Sequence, residues 1–469
     1  MVRNRKAMIH GPPHCSLDQD ARLVSGLPDN WQPATDNWYN FKVKAGKGFD
    51  WLVALRYGLV LVLPLLLGIP GLLALVGNLR MAYFWADTGD YMAAASDILK
   101  AGPLVIFSPP FHPDLPDHVI WFDRPPVYPL LLLVLGFLPG SFEVWHFIIA
   151  CLFKGLAGLV IYRFLKTRVS QAWLALLILY SYMIVFPVYI VADISFLLGI
   201  ALFAVAGMKL LERPGWKTAL AASGAGILMA FTKPTGVFAG LLLLSVGLLG
   251  RKTRAYSTLA LAIMGSAVLL WCWRNQAVYG RFSFSQIPDV NTAFYLGPAL
   301  LAQQTGQEKP WRFGWGYFGL YQMARDSYKE RVKATGIERN DRAKAALIAF
   351  MADDARKRLL DDPFGYAICH LKYTSRFFLP RGFFQTSLQD FTDTLVKVLI
   401  FILACIGVVF WWRKGRLRAV FLATGALWFL LTPGPVMDER VVMPFYLFAA
   451  ILAQGGWILW RRRSEISNQ

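Results

Sequence analysis

The stretch MKLLERPGWKTALAASGAGILMAFTKPTGVFAGLLLLSVGLLGRKTR, residues 208–254, decides the fold. It holds two apolar runs, 217–232 and 234–251, separated by Lys233-Pro234. Lys209, Arg213 and Lys217 precede the first run, and Arg251, Lys252 and Arg254 follow the second. A helix that crosses a bilayer needs about 20 mainly apolar residues, and cytoplasmic loops are marked by Lys and Arg near the span ends. The stretch therefore reads as two helices that leave the cytoplasmic side and return to it. Lys233 is left at the opposite face.

The same pattern extends in both directions. Further candidate spans are 51–78, 143–163, 171–191, 194–211, 255–273, 394–412, 417–433 and 442–460. An eleventh apolar run, 126–140, is short and enters through Pro-Pro-Val-Tyr-Pro. Other basic clusters are Arg163/Lys166/Arg168, Arg413/Lys414/Arg416/Arg418 and Arg461/Arg462/Arg463. All fall on one side if 126–140 is a partial or re-entrant element, which gives ten spans with both termini inside; eleven spans is the alternative. Composition agrees. Of 469 residues, 56% are hydrophobic and only 16% charged, with a mean hydropathy of +0.44, whereas a soluble domain carries about 25% charged residues. The formal charge of +19 does not indicate nucleic acid, because the cations cluster in short loops between apolar runs. Five scattered cysteines, with no CxxC, indicate neither a disulfide framework nor a zinc site.

The predicted organisation is a cytoplasmic tail over 1–50, basic and without a signal-peptide core. A transmembrane module follows over 51–273, with a first outer loop at 79–125. A large outer loop covers 274–393, C-terminal spans cover 394–460, and a second cytoplasmic tail covers 461–469. The large loop carries 17 Lys/Arg against 12 Asp/Glu; long loops translocate largely regardless of charge. Arg339–Leu360 has helical spacing, and Pro363 suits the first turn of a new helix. The loop is expected to fold as helices lying on the membrane face.

Polar residues collect on that outer face: Asp87, Asp90, Arg124, Asp193, Lys233, Glu439 and Arg440. Asp87 and Tyr91 are four apart and share a helix face, although Asp before a helix is also an ordinary N-cap. Arg124 precedes two prolines, which favour an extended turn; with Trp121 and Tyr128 it also fits an interfacial aromatic belt. Asp193 and Lys233 each lie between two apolar runs, where a loop-end polar residue is commonplace. Lys154 sits within a span, and intramembrane ionisable residues are functional candidates; pairing or snorkelling is its bland reading. His146 and His370, as lone histidines, read as structural. No HExxH, GxSxG, Walker or GxGxxG pattern is present.

The order of these pieces resembles the GT-C superfamily of glycosyltransferases. The resemblance is to the bacterial branch that contains protein O-mannosyltransferases and the lipid A aminoarabinose transferase. It rests on short motifs: Asp87 with Tyr91 after the first span; Arg124-Pro-Pro-Val-Tyr128-Pro opening the next helix; Lys233-Pro234-Thr235; Arg274-Asn275 with Gly280-Arg-Phe282; Asp362-Pro363; and Arg440 with Pro444. They span residues 51–460. The chain departs from the family pattern in offering His146 and Lys154 where an early Arg is usual, and in spacing its acidic pair, Asp87 and Asp90, three apart.

The resemblance implies an all-α polytopic membrane protein, a GT-C type bundle of about 10–11 spans with a large helical extracytoplasmic loop. It implies an inverting glycosyltransferase of a bacterial inner membrane with an extracytoplasmic active site. The donor would be a polyprenyl-phosphate sugar (hexosyl or pentosyl), and the acceptor a hydroxyl on a glycan, lipid or protein. Candidate end products include lipopolysaccharide and other cell-envelope glycans. The partners are the donor, the acceptor and the bilayer, with no nucleic acid. No cofactor is expected, with a divalent ion left as an open alternative. Asp87 would be the catalytic base. Asp90, Tyr91, Arg124, Tyr128, Lys154, Asp193, Lys233, Glu439 and Arg440 would bind substrate, with Arg440, Lys233 and Arg124 on the phosphate. The alternative from another class is a polytopic transporter or lipid flippase, which inverted repeats would favour; none is visible in the sequence.

Overall fold

A computed structural model describes residues 88–101, 124–165, 192–306, 315–337, 341–375, 387–432 and 439–467. They belong to one compact unit, Arg56–Gln469. The candidate spans at 51–78 and 171–191, the N-terminal tail and Asp87 lie outside the described residues.

The apolar runs among the described residues are helices. The chain forms α1 (Thr88–Ala101), α2 (Val127–Gly136), α3 (Phe142–Leu165), α4 (Asp193–Glu212), α5 (Trp216–Thr232) and α6 (Thr235–Ser245). A 3-10 turn at Val246–Leu249 extends α6, and α7 (Arg254–Tyr279) follows. The segment expected to be a large loop is helical: α8 (Ile287–Asn291), a π-turn at Thr292–Leu296, α9 (Gly297–Gln304), α10 (Trp315–Thr335), α11 (Asp341–Asp361) and α12 (Pro363–Ser375). The chain closes with α13 (Ser387–Lys414), α14 (Arg416–Leu431) and α15 (Glu439–Ser467). Among the described residues there is no strand.

Among the described residues, four helices are long and apolar enough to cross a membrane: Phe142–Leu165, Asp193–Glu212, Arg254–Ala277 and Thr394–Lys414. Among the described residues, the runs 126–140, 217–232, 234–251 and 417–433 form shorter helices, and 442–460 lies within the 29-residue α15. At about 1.5 Å per residue, the ten residues of α2 rise about 15 Å, roughly half of a 30 Å hydrocarbon core.

The stretch 208–254 forms the bundle's centre. α5 packs on α4, α6 and α7, and Ala204, Ala222, Met229, Ala230, Ala239 and Met264 are wholly buried among them. Lys233-Pro234 breaks the pair because the ring of Pro234 drives Lys233 out of the helical region (φ −148°, ψ 134°). Gly236 completes the turn. A Cβ there would stand 2.7 Å from the Met229 carbonyl oxygen and 2.9 Å from the Ala230 nitrogen, both main-chain atoms. Farther along, Gly207 lets α4 approach α14, where a Cβ would meet the Phe421 ring at 2.5 Å. Small residues at helix crossings serve packing where the surrounding lipid offers no hydrophobic drive.

The two ends of the bundle differ. Glu212, Gly250 and Arg418 lie together at one end, with Arg418 Nη1 3.8 Å from Glu212 Oε1. At the other end the starts of α1, α2 and α4 meet: Tyr91, Ala95, Tyr128, Leu132 and Ala192 form one buried cluster. Ala94, Ile98, Trp271, Phe231 and Phe284 form a second beside it.

Candidate functional site

The ends of α1, α2 and α4 meet at this second end of the bundle, and the Lys233 turn after α5 joins them through Asp193. Tyr91, in the first turn of α1, meets Tyr128, in the first turn of α2, edge to face, with centroids 4.8 Å apart and planes at 85°. The Arg124 guanidinium stands over the Tyr91 ring, its Cζ 4.9 Å from the centroid. Tyr128 is 1% exposed, so its hydroxyl needs a partner. It finds His146, hydrogen-bonded through Nε2 at 2.9 Å. Phe142 stacks on that imidazole at 6.4 Å and 27°. The result is a continuous column, Arg124–Tyr91–Tyr128–His146, from a half-buried cation to a buried imidazole.

Ala192 packs into the same cluster and leads directly to Asp193, the first residue of α4. Asp193 is buried and accepts a hydrogen bond from Lys233 Nζ across the α4/α5 pair. The Lys233 ammonium also stands 5.8 Å from the Phe196 ring centroid. An unpaired buried carboxylate is costly, and the ion pair resolves this. The Lys233 side chain keeps 18% exposure against 4% for Asp193, so the cation is the member that a ligand can reach.

A third cation completes this end. Arg274 lies over Trp271, its Cζ 5.0 Å from the ring centroid, and donates to Asn275 Oδ1 at 2.9 Å. Asn275, wholly buried, donates from Nδ2 to the carbonyls of Ser283 (2.8 Å) and Phe284 (3.1 Å). Trp271 Nε1 also donates to the Phe284 carbonyl, at 3.1 Å. The Arg-Asn and Gly-x-Phe motifs are therefore one device, in which Asn275 folds the chain after Gly280 back over the end of α7. Three cations, each beside an aromatic face, can hold an anionic group in a poorly solvated setting; cation–π contacts contribute from about 0.5 to about 2 kcal/mol as the site becomes drier.

The predicted site residues thus separate into groups. Tyr91, Arg124, Tyr128, Asp193 and Lys233 are brought together. Lys154 is buried within α3, two turns from His146 along the helix. Asp87 lies outside the described residues. Asp90, Glu439 and Arg440 are placed by backbone on α1 and α15, and their side chains lie outside the described residues. His146, read from sequence as structural, belongs to the column. The burial of a lone histidine one turn into an apolar helix carries no sequence signal of its Tyr partner. Lys397 is the other addition. It is 1% exposed within the Thr394–Lys414 candidate span, and the rule that singles out Lys154 applies to it equally.

The fold and this site define an α-helical protein with apolar helices long enough for a bilayer and a cation-rich cluster at one end of the bundle. No protein-family model matches the chain, and neither does any curated protein.

Proposed function

We propose that the chain is a membrane glycosyltransferase of GT-C type. It transfers a sugar from a polyprenyl-phosphate donor to an acceptor hydroxyl at the extracytoplasmic face and inverts the anomeric centre. One observation carries the reading: Arg124, Lys233 and Arg274, from separate chain segments, gather at the bundle end where α1 begins, one residue after Asp87 in sequence. Inverting transfer needs a carboxylate to take the acceptor proton and cations to hold the departing phosphate. A positioned general base supplies roughly 10²–10⁴-fold, and preorganised charge in a water-poor site can match it. Asp87 is the base in this reading. Arg124 and Lys233 bind phosphate, as does Arg440; Asp90 and Asp193 orient sugar or acceptor. A lipid-tethered donor explains why the chemistry sits at the end of spanning helices.

The buried Lys154 and Lys397 within candidate spans favour a second reading, a transporter or flippase that moves a charged headgroup between helices. The readings separate on one substitution. Asp87→Asn, at matched protein level in membranes, should abolish transfer of radiolabelled sugar from polyprenyl phosphate while insertion stays intact. Full transfer by the variant would remove Asp87 as base; no transfer by the native chain with any polyprenyl-phosphate sugar, alongside lipid translocation in proteoliposomes, would favour the transporter.

A further inference from the structure

A cavity of about 550 Å³ lies between α9, α10 and α11, and none of the cation-cluster residues lines it. Its volume falls within the range of about 300–1,000 Å³ usual for small-molecule sites. The floor is apolar and lined by small side chains, among them Ala293, Ala302, Ala324 and Ala355. The rim is charged: Arg331, Asp354 and Arg358. Arg358 donates to Asp354 at 3.0 Å, but both side chains are largely exposed, and such surface pairs are weak, so the guanidinium is free to exchange partners.

The apolar wall does not stop at the cavity. Leu301 and Phe350 line it and are themselves 39% and 61% exposed. Leu360, at the end of α11, and Phe364, Ile368 and Leu371, on α12, are all exposed as well. The last three follow i, i+4, i+7 spacing, one face of a helix, while Cys369 and Tyr373 on the opposite face pack against α9. α12 also touches the end of α14, where His370 Nε2 is hydrogen-bonded to the Leu431 carbonyl. The exposed apolar face therefore begins beside the end of an apolar helix of the bundle, and an amphipathic helix so placed suits the headgroup region of a bilayer.

From this geometry we infer that the cavity holds one acyl chain of an anionic membrane lipid, with its phosphate on Arg331 and Arg358, so that lipid clamps the helical domain to the bilayer surface. The occupant is a lipid and not a soluble protein, because the apolar path leads from the cavity along α12 to the bundle. It is an anionic lipid because the lining holds two guanidinium groups, Arg331 and Arg358, against the single carboxylate of Asp354. The inference is independent of glycosyl transfer.

The test uses the full chain in nanodiscs that contain phosphatidylglycerol with a diazirine at the chain terminus. After irradiation, adducts are mapped by peptide mass spectrometry. The expected result is labelling in the peptides around Ala324 and Met351, in addition to the spans. Ser327→Trp, which fills the cavity from its rim, should lower that labelling at least fivefold and leave span labelling unchanged. Arg331→Glu should lower it for phosphatidylglycerol, and phosphatidylcholine with the same chain should label the cavity poorly in the native protein. Matched elution profiles and helix content establish that the variants fold; should Ser327→Trp misfold, Arg331→Glu and the lipid comparison decide. No cavity adducts, or adducts indifferent to both substitutions, would overturn the site. Equal labelling by phosphatidylcholine would overturn the anionic headgroup.

Discussion

The Asp193–Lys233 pair can be both structure and site, and a double-mutant cycle separates the two. Asp193→Asn keeps the shape and removes the charge. The lost interaction is a charge-assisted hydrogen bond, which contributes about 1.5–3 kcal/mol. Breaking a wholly buried pair costs about 3–5 kcal/mol, but the Lys233 side chain is 18% exposed and recovers part of its hydration, so about 2–3 kcal/mol is expected. Lys233→Gln should cost a similar amount, because it leaves the more deeply buried carboxylate alone. The double variant joins two neutral amides, and its loss should fall well short of the sum, with a coupling of about 1.5–2.5 kcal/mol. At roughly 2–4 °C per kcal/mol, thermal unfolding in detergent should drop by about 4–12 °C for each single variant and little further for the double. Additivity within about 0.5 kcal/mol would refute the pair. Binding of undecaprenyl phosphate is the second readout: a double variant that is stable but no longer binds places Lys233 on the phosphate, and one that is stable with native affinity confines the pair to structure.

Gly236→Ala places a Cβ 2.7 Å from the Met229 carbonyl oxygen, and main chain cannot swing aside as a side-chain tip can; a loss of about 1–3 kcal/mol is expected, read as a lower unfolding temperature, and an unchanged one would refute the close turn. Asp362 caps α12: its carboxylate accepts hydrogen bonds from Gln304 Nε2 (3.0 Å) and the Gly365 amide (2.8 Å), which hold its pKa below the ordinary value. A depressed folded pKa contributes stability above the unfolded value and loses it as pH falls through the folded one, so Asp362→Asn should be less stable than the native protein near neutral pH and equal to it once both carry a neutral side chain at low pH. A constant difference at all pH values would refute the charge term. Cysteine at Gln304 should react with an impermeant maleimide in intact cells and cysteine at Gly215 should not; the reverse labelling would invert the topology.

The element types were legible from apolar length because a buried or lipid-facing helix writes one long run. Arg339–Leu360 and the Pro363 start likewise correspond to α11 and α12. Lengths were less legible. The runs at 217–232 and 417–433 yield helices of 17 and 16 residues, short of a clear span, and 442–460 is only the apolar part of the longer α15, whose ends carry charge. Placement at the bundle end was legible where an ionisable residue interrupts apolar sequence, as at Asp193 and Lys233. Partnership was not. Nothing in VADIS and FTKPTG says that their charges meet across 40 residues, and nothing marks His146 as the partner of Tyr128.

That unseen partnership changes the electrostatic argument at the bundle end. Counted as independent residues, Arg124, Lys233 and Arg274 offer three positive charges and Asp193 one negative. Paired, Lys233 and Asp193 form a dipole with its positive end toward the more accessible side, and Arg124 and Arg274 keep aromatic faces beneath them. An aromatic face stabilises a cation without neutralising it. It restricts the guanidinium to a plane, with its N–H groups at the edges, where carboxylate or phosphate oxygens make bidentate contacts. On the reading proposed above, two planar forks and one ammonium would serve an oxygen-rich anion such as a phosphate. In that reading the Tyr91–Tyr128–His146 column sets the plane of the Arg124 fork. Tyr128→Phe would keep the ring contact with Tyr91 but release His146, and so should weaken lipid-phosphate binding less than Tyr91→Leu, which removes the face itself.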